Sequence, residues 1–149
     1  MKLKRFLTAV FVLGLAAVLT GCLGGGTGIT DEDAVHSLLN QYEQAFRTKD
    51  AKKLADLYTY PIEIDGASFE NAEEAAFYYT LSFEFLTEVH EFELFDRTLM
   101  ITGSEATAEV TAKSKITLLG ETLEDNVPGI LMLRKVGSQW RIAGHVGIE

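Results

Sequence analysis

The 149-residue chain holds one cysteine, two prolines and one tryptophan, and beyond its first five residues only ten lysines and arginines. A single cysteine cannot pair within the chain, so no disulfide framework substitutes for a packed core. Lys2, Lys4 and Arg5 all fall at the start, so residues 22–149 set those ten cations against 22 carboxylates, a formal charge of −12. Like charge repels at encounter and no basic stripe exists to release counterions, which excludes nucleic acid and makes anionic headgroups poor partners for the folded part. No nucleophile elbow, phosphate loop, paired-cysteine site or His-x-x-x-His spacing occurs, so the chain calls for no cofactor and no metal. What is present in quantity is apolar: 47 % of the residues, against 23 % charged, describe one globular domain and exclude a disordered chain.

The single cysteine gains its meaning from position. A basic start is followed by an uncharged apolar run from Phe6 to Leu19 and then by Leu19-Thr20-Gly21-Cys22. The run is shorter than the roughly 20 residues of a comfortable bilayer span and has the order of a secretory signal. Its end resembles the lipobox of bacterial lipoproteins. That resemblance implies a signal peptide over 1–21, cleavage between Gly21 and Cys22, and alkylation of the Cys22 thiol by diacylglycerol, with a further acyl chain such as palmitate on the new amino terminus. Two or more chains anchor stably, so the partner implied is a lipid bilayer, with the domain outside the cytoplasm on the cell membrane or an outer membrane. Leu23 follows the cysteine where the inner-membrane retention signal of diderm bacteria has Asp. Residues 22–29, with Leu23-Gly-Gly-Gly-Thr-Gly28, have the backbone freedom of a tether.

The periodicity of residues 30–149 describes an α+β domain. Thr30 before Asp31, Glu32 and Asp33 starts a helix whose apolar stripe is Val35, Leu38, Leu39, Tyr42, Ala45 and Phe46. Asp50 caps a shorter helix with Leu54, Ala55, Leu57 and Tyr58 on its buried side, ended by Pro61. Ile62–Asp65 alternates as a short strand turned by Gly66, and Asn71 with Glu74 caps a third helix. From about Val89 the period becomes two. A strand is expected over Phe92–Ile101, a long one over Ala106–Leu118 with Glu105, Thr107, Glu109, Thr111, Lys113 and Lys115 on its wet face, and others over Val127–Val136 and Gln139–Ile148. Gly120–Asn126 reads as a loop and Gly137-Ser138 as a hairpin turn.

Gln41-Tyr42, Ala45-Phe46, Lys49-Asp50, Leu54 and Leu57-Tyr58 at the front, with Leu131-Met-Leu-Arg-Lys-Val-Gly-Ser-Gln-Trp140-Arg-Ile142 at the back, resemble the nuclear-transport-factor-two-like superfamily, also called SnoaL-like or cystatin-like. The resemblance implies three N-terminal helices packed on a curved antiparallel sheet to form a cone. The superfamily hosts isomerases, cyclases, dehydratases and non-catalytic binders, so the fold does not choose a function. Its steroid isomerases use a helical Tyr and a strand acid as oxyanion donors opposite a carboxylate base. Tyr42 matches the Tyr and Asp65 falls near the base, but the position for the second donor lands on or near Ile130, which cannot donate. One such donor is worth about 2.7–4 kcal/mol.

Tyr42, Tyr58, Phe77, Tyr79, Phe83 and His145 are the residues expected around a pocket. Phe77, Tyr78 and Tyr79 are consecutive on one helix, so at least one must face a pocket, a partner or solvent. His145 shares parity with Arg141 and Ala143 and opposes Trp140 and Ile142, on the cone side or the outer side of the sheet. The leading reading is a membrane-anchored, non-enzymatic domain that binds an apolar small molecule, a peptide or a partner protein. An isomerase or lyase using Tyr42 and Asp65 is the alternative. A structural subunit of an envelope complex, pairing as a homodimer through the sheet, is the third. If the lipobox works, Cys22→Ser abolishes acylation, and fractionation finds the variant released from membranes or unprocessed; continued partition with lipid would refute the anchor.

Overall fold

The computed structural model describes residues 28–64 and 66–147; the lipobox, most of the tether and Asp65 lie outside them. Thr30 Oγ1 accepts from the Asp33 amide at 3.1 Å while the Asp33 carboxylate accepts from the Thr30 amide at 3.2 Å, a reciprocal cap that starts α1 (Asp31–Arg47). Three acidic residues in its first turn sit at the positive end of the helix dipole. Its stripe, Val35, Leu38, Leu39, Tyr42 and Ala45, is buried. Asp50 caps α2 (Ala51–Ala55) by accepting from the Lys53 amide at 2.9 Å. Two short strands, β1 (Ile62–Ile64) and β2 (Ala67–Phe69), form an antiparallel hairpin. Asn71 Oδ1 accepts from the Glu73 and Glu74 amides and opens α3 (Ala72–Phe85).

The chain then passes directly into a four-stranded antiparallel sheet of order β3-β4-β5-β6, made of β3 (Leu86–Thr102), β4 (Glu105–Leu118), β5 (Glu121–Val136) and β6 (Gln139–Val146). Helices lie against one face of it, as the α+β reading expects. That face carries small side chains on β4 (Ala106, Ala108, Ala112) between larger ones on its neighbours (Leu94, Leu131, Leu133), so the layers interdigitate. The other face is less polar than the β4 pattern alone suggests, because Met100, Ile130 and Met132 from the flanking strands join Thr107 and Glu109 there.

Both edges of this sheet are closed. On β3 the outward carbonyls accept from side chains: Phe92 from Arg47 Nε at 2.6 Å, Leu86 from Lys49 Nζ at 3.0 Å, and Leu94 from Arg97 Nε at 2.6 Å. Arg97 reaches α1 because a bulge between Phe95 and Thr98, with Asp96 at φ 52°, turns it inward to Glu43 at 2.6 Å and Asn40 at 2.7 Å. On β6 the edge is covered by the linker after α2: Ile142 donates to the Leu57 carbonyl and accepts from the Thr59 amide, each at 2.8 Å.

Three boundaries differ from expectation. The first long strand begins at Leu86, directly after α3, and not at Phe92. Residues expected as a loop, Gly120–Asn126, are mostly strand; the turn is at Leu119-Gly120 and Glu124 lies opposite Lys115. That end of the hairpin is wet on both faces, which erases the alternation that would have marked it. β2 is too short to show a period.

Asp31 Oδ1 accepts from Lys135 Nζ at 2.6 Å and Trp140 Nε1 at 3.1 Å, tying the start of α1 to the β5–β6 hairpin. The Lys135 hydrogen bond, then that of Trp140, holds its carboxyl below the ordinary 3.8. The ionised form therefore favours the fold at pH above that value, and the contribution is lost as pH falls through the lowered one. Urea midpoints measured from about pH 5 to about pH 2 should show Asp31→Asn less stable than the parent at the upper end and the difference closing toward the lower.

A candidate ligand site at the Tyr58–His145 corner

The Leu57–Thr59 segment runs parallel to β6, with Tyr58 bridged to Ile142. This places the Tyr58 ring inside the cone at 3 % exposure. Tyr79 from α3 lies over it, rings 6.4 Å apart and 25° from parallel, and donates to the Tyr58 hydroxyl at 3.0 Å. Tyr42 from α1 also hydrogen-bonds to Tyr58. Three phenols from three elements thus converge. Burial pushes the Tyr58 phenol well above the ordinary 10, and Tyr42 and Tyr79 add to the shift. It stays neutral at any physiological pH and acts as a hydrogen-bonding group, not a base. Tyr60 nearby is pushed up to about 12, mainly by burial, and donates to the Ala55 carbonyl at 2.7 Å.

His145 reaches the same corner by a route that parity conceals. Leu133 pairs with Ile142 but Met132 pairs with Gly144, so Ala143 is an extra residue on β6. Beyond this bulge the faces exchange: Gly144 lies on the outer face with Met132, and His145 pairs with the fully buried Leu131 on the cone side. Its expected parity with Arg141 and Ala143 is thereby overturned. The ring sits 6.2 Å from that of Tyr58, tilted by 56°. Its Nε2 is shut off from solvent and has no hydrogen-bond partner among the described residues. Beside it a cleft of about 310 Å³ opens between the β1–β2 hairpin and β6, lined by Ile62, Glu63, Gly66, Met132, Ala143, Gly144 and His145.

The other expected residues divide. Phe83 is buried and stands 6.1 Å from Tyr79, continuing a chain of rings through Phe46 to Phe92. Phe77 does not join the pocket: it is 66 % exposed on the opposite side of α3, since one helix face cannot bury three consecutive rings. Ile130 lies on the outer face opposite Glu109, so the cone-side positions beside it are Gly129 and Leu131, and neither can donate to an oxyanion. Asp65 lies outside the described residues. His36 stands 4.0 Å from Glu32, and His90 bonds to Thr117 at 2.8 Å, both away from this corner. Among the described residues no three metal-ligating side chains converge, and no helix is long and apolar enough to cross a membrane. Sequence reasoning missed the bulge. Gly144 within a strand was the available signal, because an interior strand glycine commonly marks one.

Helices on a curved antiparallel sheet, with a hydroxyl-lined aromatic corner, define a cone-shaped α+β domain. The chain belongs to the SnoaL-like domain family, whose model matches residues 35–147. The same fold occurs in a candidate aromatic ring hydroxylase from Novosphingobium aromaticivorans (16 % identity, TM-score 0.68, covering 80 % of this chain and 89 % of that one). It occurs also in an NTF2-like protein with a cystatin-like fold from the same organism (17 %, TM-score 0.64, 77 % and 79 %). A candidate dehydratase of the NTF2-like family from Streptomyces avermitilis shares it (18 %, TM-score 0.59, 77 % and 93 %). Identities this low establish the fold alone. No curated protein matches the sequence.

Tyr58→Phe removes the hydroxyl that Tyr42 and Tyr79 share. It should lower the unfolding free energy by about 1–2 kcal/mol in urea titration, with the far-ultraviolet circular dichroism of the folded state unchanged.

Proposed function

We propose that the protein is a lipid-anchored, extracytoplasmic binding domain, and that the cleft beside His145 takes a small molecule carrying both hydrogen-bonding and apolar groups. The observation that carries this reading is His145 Nε2, buried and without a hydrogen-bond partner among the described residues. A buried polar atom without a partner costs about 1–3 kcal/mol, which a guest's hydroxyl or carbonyl would recover on displacing the groups that now shield Nε2 from solvent. Ile62, Met132 and Ala143 supply apolar walls and Glu63 and His145 polar ones, and about 310 Å³ suits a guest near the small end of the usual range. Cys22 and the glycine-rich tether supply the anchor in this proposal.

An isomerase or lyase is the second reading, favoured by the neutral Tyr58 phenol with Tyr42 and Tyr79 hydrogen-bonded to it, since phenols are donors of the kind an oxyanion needs. It asks Asp65 to act as base and lacks a second donor on β5. The dehydratase and hydroxylase descriptions belong to the relatives that bear them.

Native mass spectrometry of the protein purified from its own cells tests both. The binding proposal expects a retained small molecule on the wild type, lost in His145→Leu; absence of any retained mass, or its persistence in the variant, would overturn it. A guest recovered chemically altered from the wild type but intact from Asp65→Asn would establish the enzyme instead.

A further inference from the structure

On the side of α3 turned away from the cone, Phe77, Leu81 and Phe85 recur every fourth residue and stand 66 %, 41 % and 56 % exposed. Leu119, 75 % exposed at the β4–β5 turn, extends this stripe, because its amide donates to the Phe85 carbonyl at 3.2 Å. Together these side chains present on the order of 400 Å² of apolar surface, a size at which a patch on a monomer often serves a contact. Its charged surroundings have one sign. From Leu54 to Asp96 the chain carries eleven Asp and Glu and no Lys or Arg. Glu73 and Glu74 stand at the head of the stripe, and Glu84 and Glu88 at its foot, all exposed. Most cations on adjoining elements are engaged, Lys49 Nζ with the Leu86 and Thr87 carbonyls, Lys52 with Asp56, and Lys115 with Glu124, while Lys53 on α2 is exposed.

We infer that this α3 stripe docks a segment of another protein in which apolar side chains are flanked by Lys and Arg. The apolar row supplies the contact and the carboxylate rim selects the sign of the partner. A second copy would bring the same carboxylates against these, and an anionic bilayer would be repelled in the same way.

Photocrosslinking in the cells that make the protein tests this on the full chain, with benzoylphenylalanine in place of Phe77 and, as a control on the outer sheet face, in place of Thr107. The expected result is a polypeptide adduct at position 77, absent at 107, whose crosslinked peptide maps to an apolar segment flanked by Lys or Arg. Its yield should fall about tenfold when Glu73→Lys and Glu84→Lys are combined, and fall likewise in Leu81→Ser. These positions are exposed, and circular dichroism of each variant verifies the fold. An adduct to a second copy, to phospholipid or to an acidic or uncharged segment overturns the inference. So does equal yield in the charge-reversed chain, or no adduct above the control.

Discussion

Much of this structure hangs on the backbone of Ile142. The residue is fully buried, and its amide and carbonyl both point out of the edge strand to be taken up by Leu57 and Thr59. That pair of hydrogen bonds does three things at once. It covers an edge that would otherwise offer itself to another chain, carries the α2 linker across the sheet, and delivers the Tyr58 ring to the cone interior. The bulge that follows immediately on β6 turns His145 to the same side. The corner with unsatisfied hydrogen-bonding capacity is therefore a product of one strand edge and the segment laid along it.

The opposite edge is closed by different means. Arg47, Lys49 and Arg97 donate to β3 carbonyls, and Glu43 accepts from the Leu94 amide at 2.6 Å and from Arg97. Three of the chain's scarce cations, with Glu43, thus hold α1 and the residues just after it to the sheet. Between the two edges lies the chain of rings from Phe92 to His145, in which hydroxyls occur at the His145 end and hydrocarbon at the other. The cleft between the β1–β2 hairpin and β6 opens at the His145 end. The acidic, apolar stripe on α3 is a separate surface, facing away from that entrance.

Most elements could be read from the residues because their signals are local. Thr30 and Asp33, Asp50, and Asn71 with Glu74 act within a turn of where they stand, and each marks a helix that forms there. Alternation in β4 survives because one of its faces is dry along much of its length. The signal failed where solvent reaches both faces, over residues 121–126, and where a single inserted residue at Ala143 reversed the parity of everything after it. His145 could be singled out as the strand residue of most interest, but the face it occupies is decided by pairing with β5, which no local pattern reports. Phe77 is the converse: three consecutive rings on a helix announced that one must turn outward, and only packing against α2 and the sheet selected which.

By itself the sequence determined the class of the domain and its helix caps, since each depends on neighbours within a few residues, and its acidic balance, which is a matter of composition. The tertiary structure decided which tyrosines meet, that Tyr58 sits between Tyr42 and Tyr79, that His145 faces inward with a nitrogen unpaired among the described residues, and that a row of apolar side chains on α3 is exposed. Those are matters of long-range register and of which face a bulge presents, and they follow from hydrogen bonds between residues as distant as Leu57 and Ile142.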